Sequence, residues 1–322
     1  MYDVYFYEAF AEEETALRAA LPAGIRAGYT RLTIQEAGAA NIPPCPLISI
    51  RTQSQIPSAW IGPLQAVLSR STGYDHLLPY GDALQCGYLP LYCARAVAEQ
   101  ALLLMLALLR KLPAQRRNMA HFDRDGLTGL ECLGKTLSVF GVGNIGHCMA
   151  SIGTALGMHV LGVDIVQRHD DVTYCAPDAA LQQADVIVCA MNLTPRTRAY
   201  FNRDRLRMTP PGVIFINIAR GEMALLADLA ALLQSGHIVG VGLDVFDNEA
   251  AIAVDFRRNT TTTTETDLLR TLLSDPRVVL TPHNAFNTAE SVARKAADSA
   301  RQVTHYQTHR QFYWPLPRQE SD

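Results

Sequence analysis

A regular alternation of apolar runs and helical patterns begins at Thr136 and constrains the fold more than any other feature of the chain. The apolar runs are continuous, which indicates strands that are buried on both faces. Segments between them, such as ALLADLAALLQSG, have the apolar spacing of helices. The runs predicted to be strands are TLSVF, HVLGV, DVIVCA, VIFINI, IVGVGLDV and VVL. Such an alternation predicts a parallel sheet covered by helices.

The first hundred residues predict a second region of the same class. VYFY, LISI and LQAVLS are typical of strands, and AEEETALRAAL of a helix. A long helix, ARAVAEQALLLMLALLRKL, is expected to end near Pro113. Residues from about 288 onward are polar and helical and can return to the first region. We therefore expect an α/β protein of two Rossmann-like or flavodoxin-like domains with parallel sheets, in which residues 94–287 are inserted into a domain made of 1–93 and 288–322.

Composition excludes several classes of function. The 322 residues are 48% hydrophobic and 18% charged, an ordinary globular balance, and the net charge of −3 argues against a nucleic-acid partner. The longest apolar run, ALLLMLALL, is too short to span a bilayer, and the N-terminus lacks the pattern of a secretory signal. Seven scattered cysteines without a Cys-x-x-Cys pair indicate reduced thiols in a cytoplasmic protein and no metal site. The threonine-rich segment NTTTTTETD, 259–267, is expected to be a loop.

A glycine motif lies between the first strand of the alternation and its helix. In TLSVFGVGNIGHCMA, Gly141 would make a tight turn, Gly143 would let a pyrophosphate approach, and Gly146 would let the helix pack closely. Asp164 ends the next strand, eighteen residues beyond Gly146, and can accept hydrogen bonds from the ribose hydroxyls while repelling a 2′-phosphate. The motif predicts NAD rather than NADP, although Arg168 lies close enough to reduce the preference. The alternative is a helix-opening turn beside a solvated aspartate.

Three later motifs place reactive side chains after strands, where ligands bind in such sheets. INIARGE carries Arg220, GLDVFDNEA carries Asp244 and Glu249, and TPHNAF carries His283. Taken singly, Arg220 could be a surface cation and Asp244 a strand-end cap. Glu249 could be a solvated loop charge and His283 an ordinary loop histidine. Together they favour catalysis, since a histidine that titrates near neutral pH can exchange a proton, a carboxylate can orient its ring, and an arginine can bind a carboxylate with two parallel hydrogen bonds.

The chain resembles the D-specific 2-hydroxyacid dehydrogenases along nearly its whole length. The motifs that carry the resemblance are RSTGYDHL, LPLYCARAVAEQ, GVGNIG, NLTPRT, NIARGE, LDVFDNEA and TPHNAFNTAES. The long spacer between the glutamate and histidine motifs, and Phe286 three residues after His283, look most like the D-lactate dehydrogenase branch. Asn192 departs from the family by replacing a common proline, which predicts a looser loop.

The resemblance implies an NAD-dependent oxidoreductase that interconverts a small 2-keto acid and a D-2-hydroxy acid. Residues 94–287 would be its NAD-binding domain and 1–93 with 288–322 its substrate domain. Arg220 would bind the substrate, His283 would be the acid/base and Glu249 its partner. The residues expected to contact NAD are Gly141, Gly143, Asn144, Ile145, Gly146, Asp164, Met191, Asn192, Thr197, Ile218, Ala219 and Asp244. A cytoplasmic homodimer is expected, with no membrane or nucleic-acid partner.

The substrate-binding residues expected beside Arg220 are fewer. Backbone N–H groups near Thr72 and Gly73 would hold the substrate carboxylate, the alternative being an ordinary tight turn. Tyr92 and Phe286 match aromatic pocket positions, although buried aromatics are also ordinary core. Arg51 is either a second cation toward the substrate or a surface charge.

Two other functions remain as alternatives. A phosphonate dehydrogenase of the same family would carry a lysine in the substrate loop, where this chain has Thr72. A non-catalytic NAD(H)-sensing interaction protein would not need Arg220, Glu249 and His283 together. A formate dehydrogenase is disfavoured because that activity pairs its histidine with a glutamine.

Overall fold

The computed structural model describes residues 2–38 and 40–317, so residues 1, 39 and 318–322 of the predicted domains lie outside the described part. The chain divides into two compact units. The first unit comprises Met1–Cys93 and Asn287–Asp322, and the second comprises Ala94–Phe286.

Every regular element of the described residues belongs to one of these units. The strands are β1 (Val4–Phe6), β2 (Ala27–Tyr29), β3 (Leu47–Ile50), β4 (Ala66–Ser69), β5 (Gln85–Gly87), β6 (Thr136–Phe140), β7 (His159–Val163), β8 (Thr173–Tyr174), β9 (Val186–Cys189), β10 (Val213–Asn217), β11 (Ile238–Leu243) and β12 (Val278–Leu280). The α-helices are α1 (Ala11–Ala20), α2 (Ala94–Leu109), α3 (Leu112–Asn118), α4 (Asn144–Ala155), α5 (Pro177–Gln183), α6 (Arg203–Leu206), α7 (Leu226–Gln234), α8 (Glu249–Arg258), α9 (Thr264–Leu272) and α10 (Ala289–His309).

The first unit contains a five-stranded parallel sheet. Its strand order, β2-β1-β3-β4-β5, is the flavodoxin-like one. Three of these strands coincide with the predicted runs VYFY, LISI and LQAVLS. β2 and β5 were not predicted because AGY and QCG are three residues long, contain glycine and form no apolar run.

The second unit contains a seven-stranded parallel sheet in the order β12-β11-β10-β9-β6-β7-β8. The order reverses between β6 and β9, as in the Rossmann fold. All six predicted runs form strands here, and residues of β9 and β10 are buried throughout, as continuous apolar runs indicate. The prediction of two parallel-sheet α/β domains is confirmed.

The long apolar helix is shorter than predicted. α2 ends at Leu109, and Lys111 adopts a left-handed backbone with φ of 52°. Pro113 does not end α2; it lies in the first turn of α3, where a proline needs no N–H donor. Among the described residues, no helix is both long and apolar enough to cross a membrane.

The threonine-rich segment is only partly a loop, so the prediction for 259–267 was wrong at its end. α9 begins at Thr264, capped by the Thr263 hydroxyl, which accepts a hydrogen bond from the Thr266 N–H. Asp255 at the end of α8 organises the segment: its carboxylate accepts hydrogen bonds from the hydroxyls of Thr260, Thr262 and Thr266 and from the Thr262 N–H. These hydrogen bonds hold the pKa of Asp255 well below its usual range. The bond from the Thr262 N–H contributes most. Composition alone could not show this arrangement.

Candidate active site

The predicted site residues of the second unit follow the carboxyl ends of its parallel strands. Gly141 follows β6, Asp164 follows β7, Met191 follows β9, Arg220 follows β10, and His283 follows β12. Since the carboxyl ends of parallel strands meet at one edge of a sheet, the fold gathers these motifs at a single edge.

The three glycines of the β6–α4 loop differ in what surrounds them. A Cβ on Gly141, whose φ is 89°, would lie 2.6 Å from the backbone of Ala190, and a Cβ on Gly146 would lie 1.8 Å from the Gly141 carbonyl oxygen. Gly143 instead faces open space at the N-terminus of the twelve-residue α4. Two glycines are therefore required for packing, and the third leaves the helix N-terminus accessible to a pyrophosphate, so the loop fits a dinucleotide.

Asp164 lies at the end of β7, as predicted, but its carboxylate also has a structural role. One oxygen accepts a 2.6 Å hydrogen bond from the Val142 N–H of the glycine loop, and the other accepts one from the Val166 N–H at 3.0 Å. The side chain is half-buried. Asp164 thus joins the glycine loop to β7 at the edge where the ribose is expected.

A histidine pair beside this loop was not singled out from the sequence. His147 of α4 bonds Asp171 at 2.9 Å, and its ring stacks on His169 at 3.8 Å with an interplanar angle of 3°. The three side chains have the donor types of a metal site. However, an ion lies in the plane of each imidazole that binds it, and two parallel stacked rings cannot share such an ion. The His147–Asp171 bond instead ties α4 to the segment after Asp164.

The remaining predicted cofactor contacts lie in loops after β9 and β10. The Thr197 hydroxyl donates to the Asn192 carbonyl at 2.8 Å and accepts from the Thr194 N–H at 2.8 Å, which closes the loop that begins at Met191. These bonds hold the segment despite the missing proline. Ile218 is buried and donates from its N–H to the Cys189 carbonyl at 3.3 Å.

Two neighbours that the sequence reasoning missed shape the turn that carries Arg220. The buried Asn217 side chain accepts a hydrogen bond from the Ala219 N–H at 3.0 Å and donates one to the Arg220 carbonyl at 2.8 Å. A Cβ on Gly221 would lie 1.8 Å from the Phe246 backbone. The NIARGE motif could have indicated the roles of both residues, since its Asn and Gly lie on either side of the arginine.

His283 and Glu249 form the central pair of the site. The His283 Nδ1 atom lies 2.8 Å from Glu249 Oε1 and 3.0 Å from Oε2. Both side chains are about four-fifths buried, with exposures of 23% and 21%. The His283 backbone is left-handed, with φ of 50°, and so is that of Asn248 just before Glu249, with φ of 58°. Non-glycine residues in this region are uncommon and cluster at functional sites.

Asp244 holds the loop that carries His283. Its carboxylate accepts hydrogen bonds from the Thr281 hydroxyl at 2.5 Å and from the N–H groups of Asn284 and Ala285 at 2.9 Å each. Burial raises the pKa of Asp244 and outweighs these bonds. The side chain therefore fixes the segments on both sides of His283, and its predicted contact with NAD stays a prediction.

The predicted substrate residues of the first unit lie around the end of β4. The Thr72 hydroxyl donates to the Leu89 carbonyl at 3.2 Å, and the Gly73 carbonyl accepts from the Ser71 hydroxyl at 2.7 Å. Tyr92 is 4% exposed, and its hydroxyl donates to the Arg70 carbonyl at 3.4 Å. The fourth predicted residue, Phe286, is a buried residue of the second unit.

The family model described as "D-isomer specific 2-hydroxyacid dehydrogenase, NAD binding domain" matches residues 102–285, more than half of the chain. Among curated relatives, D-3-phosphoglycerate dehydrogenase of Mycobacterium bovis is 32% identical over 215 residues, 65% of this chain and 38% of that protein. D-lactate dehydrogenase of Escherichia coli is 33% identical over 211 residues, 63% of each chain. The chain thus spans less than two thirds of the length of these relatives.

A solved structure of D-lactate dehydrogenase from Aquifex aeolicus, complexed with NAD and lactic acid, superposes with a TM-score of 0.85. It is 26% identical to this chain, and the match covers 95% of both chains. This match therefore covers a larger share of the chain than either sequence match does.

Proposed function

The chain belongs to the D-isomer specific 2-hydroxyacid dehydrogenase family, whose model describes an NAD-binding domain, and we propose that it interconverts a 2-keto acid and a D-2-hydroxy acid as an NAD-dependent enzyme of the D-lactate dehydrogenase type. The observation that carries this proposal is the His283–Glu249 hydrogen bond of 2.8 Å at the strand edge that also carries the glycine loop. That pairing of a proton donor with a dinucleotide loop suits hydride transfer to a carbonyl group.

The residues after β6, β7, β9 and β10 would hold the cofactor. The N-terminus of α4 faces the open space at Gly143 and would bind the pyrophosphate, and Asp164 would accept hydrogen bonds from the ribose hydroxyls. Met191, Asn192, Thr197, Ile218, Ala219 and Asp244 would line the remainder. Bound NADH supplies the hydride, and the protein orients it.

Arg220 would bind the substrate carboxylate. Its guanidinium is permanently charged and presents donors that match the two carboxylate oxygens. The Asn217 side chain and the close approach at Gly221 fix the backbone from which Arg220 extends. The other predicted substrate contacts remain proposals for each unit by itself. In the first unit, backbone N–H groups around Thr72 and Gly73 would bind a substrate carboxylate and Tyr92 would be an aromatic contact; in the second unit, Phe286 would be another.

His283 would exchange the proton. Because Glu249 engages Nδ1, the Nε2 atom is the one that can protonate the substrate oxygen as negative charge develops on it. The imidazolium gives its Nε2 proton to that oxygen, and the neutral ring keeps the proton on Nδ1, which donates a hydrogen bond to the Glu249 carboxylate. In the oxidation direction Nε2 takes the hydroxyl proton. General acid–base catalysis of this kind contributes typically ~10²–10⁴-fold.

A screen for activity tests the proposal. Purified protein should oxidise NADH in the presence of at least one of pyruvate, longer 2-keto acids, glyoxylate and hydroxypyruvate, and the product should be the D-enantiomer by chiral chromatography. Tight NADH binding, measured by fluorescence, without reduction of any of these acids would favour a non-catalytic NAD(H)-sensing protein instead.

Replacing Asp164 with alanine should narrow the preference for NADH over NADPH, because the carboxylate that repels a 2′-phosphate is removed. The measurement is the ratio of kcat/KM for the two cofactors. Using the ratio matters because Asp164 also accepts a hydrogen bond from the glycine loop, so both activities can fall together. An unchanged ratio would contradict the ribose assignment; Asp170→Ala, at an exposed neighbouring position, is the matched control.

We further propose a cytoplasmic homodimer assembled through the second unit. Large apolar side chains are exposed in the region from α2 to the start of β6, including Leu103 at 54%, Phe122 at 69% and Leu133 at 72%. Exposed apolar surface of this kind commonly marks a protein interface. All seven cysteines are free thiols, in keeping with a reducing compartment.

A further inference from the structure

A hydrogen-bonded network of three side chains connects α2 to the loop that follows β12. The Gln100 side chain donates to the Thr281 hydroxyl oxygen at 3.3 Å, and the Thr281 hydroxyl donates to Asp244 Oδ1 at 2.5 Å. The Asp244 carboxylate also accepts from the N–H groups of Asn284 and Ala285 at 2.9 Å each. All five residues lie in the second unit. We call Gln100, Thr281 and Asp244 the Gln100 network.

The direction of each hydrogen bond in the Gln100 network follows from its chemistry. An ionised carboxylate can only accept, and a threonine hydroxyl has a single proton to donate. Because the Thr281 proton is given to Asp244, Gln100 must donate its amide N–H to the hydroxyl oxygen. A donor at that oxygen polarises the O–H group and strengthens its bond to the carboxylate. Gln100 therefore reinforces the contact between Thr281 and Asp244.

The packing of α2 against β11 places Gln100 near the carboxyl end of that strand. A Cβ on Gly242 would lie 3.0 Å from the Cβ atom of Leu104. A Cβ on Gly240 would lie 3.4 Å from the Cβ atom of Leu108. The helix therefore runs opposite to the strand, and Gln100 lies one turn before Leu104, beyond Gly242. Its position is set by two packed regular elements.

His283 needs support of this kind because its backbone is strained. Its φ is 50°, a left-handed conformation that persists in a non-glycine residue only where the surroundings hold it. Thr281 acts on both sides of the histidine. Its carbonyl oxygen accepts from the His283 N–H at 2.9 Å, and its hydroxyl acts through Asp244, which binds the two residues after His283. The Gln100 network thus supports the backbone conformation from which the imidazole reaches Glu249.

We propose that Gln100 and Thr281 are positioning residues for proton transfer, which hold the His283 imidazole in place through Asp244. The inference rests on the proposed function. Neither side chain is assigned to the substrate or the cofactor, so each is expected to act only through its hydrogen bonds. A displacement of the catalytic group by about 1 Å can cost ~10²-fold in rate, so modest support of this loop has a measurable effect.

Kinetics of single variants test the inference first. Thr281→Val should lower kcat by about 10–100-fold, since it removes a hydrogen bond to a buried carboxylate, and Gln100→Leu by about 3–10-fold. Thr281→Ser keeps the hydroxyl and should stay within about twofold of wild type. The readout is NADH oxidation at saturating NADH and 2-keto acid. Thr271→Val and Gln182→Leu, at exposed positions of α9 and α5, are the matched controls and should keep full activity.

The protonation of Asp244 gives a second readout, which a purely structural role would not move. Burial raises the pKa of Asp244, and the hydrogen bond from Thr281 is the largest of the effects that lower it; two backbone N–H groups and the charge of His283 act in the same direction. Without the Thr281 hydroxyl this pKa rises further, so Asp244 becomes neutral at a higher pH. The acid limb of the kcat/KM profile should therefore move to higher pH in Thr281→Val, and by less in Gln100→Leu.

A double-mutant cycle tests whether the two residues act through one another. If Gln100 acts through the Thr281 hydroxyl, adding Gln100→Leu to Thr281→Val should lower kcat by less than twofold more. Independent contributions would multiply instead. Hydrogen exchange of the peptide that contains Asn284 and Ala285, followed by mass spectrometry, should be faster in both single variants, because the loop is held less firmly.

The outcomes separate this inference from the proposed function. A folded Gln100→Leu variant with wild-type kcat and pH profile, or losses that multiply in the double variant, would overturn the inference while the dehydrogenase proposal stands. If Thr281→Val does not fold, Gln100→Leu at its partly exposed position still decides the question through kcat, the pH profile and hydrogen exchange. Absence of NADH oxidation by the wild-type protein with every 2-keto acid would overturn both.

Discussion

Replacing His283 with asparagine is expected to lower turnover at least ~100-fold, because the only group assigned to proton transfer is lost. Asparagine is the sharper choice because it tolerates the left-handed backbone at φ of 50°, whereas alanine would add strain to the loop. His283→Ala should show the same loss of turnover. The measurements are single-turnover hydride transfer and the NADH dissociation constant, and the latter should change little.

His121 provides the matched control for this experiment. It is an exposed histidine of the second unit, and His121→Asn should retain full activity. A loss of less than about tenfold in His283→Asn, below the usual range for general acid–base catalysis, would remove His283 from the proton role. A large loss of NADH affinity would point instead to a disturbed loop.

Arg220→Gln should lower kcat/KM by about 10²–10³-fold, since removing one partner of a hydrogen-bonded charge pair costs roughly 2–5 kcal/mol. The substrate carboxylate would then lose a bidentate partner, so KM for the 2-keto acid should rise. Arg220→Lys should be impaired to a lesser extent because an ammonium keeps the charge but not the paired donors.

Arg207→Gln controls for the removal of one positive charge from the second unit at an exposed position. Because Arg220 also donates to the Ala219 carbonyl at 2.8 Å, circular dichroism and NADH binding should accompany the kinetics. A folded Arg220→Gln variant that binds NADH and keeps its wild-type KM would refute the carboxylate assignment.

Sequence reasoning predicted the second sheet well because each of its buried strands is a continuous apolar run. It missed β2, β5 and β8, whose two or three residues pair by backbone hydrogen bonds that need no apolar pattern. The end of α2 was also misplaced, since the left-handed Lys111, rather than Pro113, separates it from α3. Local backbone conformations of this kind depend on the packing of the whole unit.

The candidate site also has features that the sequence could predict and features that it could not. The motifs predicted which residues follow which strands, and His283 and Glu249 are hydrogen-bonded, while their catalytic roles stay predictions. The hydrogen bonds of Asp244 to the His283 loop and the buried ion pairs of Glu13 with Arg70 and Lys295 could not be predicted. Both depend on contacts between residues far apart in the chain, such as Glu13 and Lys295, which no spacing rule connects.

The carboxylate of Asp255 shows that a repetitive segment can be specific position by position. In the run of five threonines, Thr260 and Thr262 bind this carboxylate and Thr263 caps α9. A composition filter would discard such a segment as an interchangeable spacer. The hydroxyls of Thr260 and Thr262, together with that of Thr266 just beyond the run, nevertheless occupy distinct places around the Asp255 carboxylate. Identical residues in a monotonous stretch therefore need not be equivalent to one another.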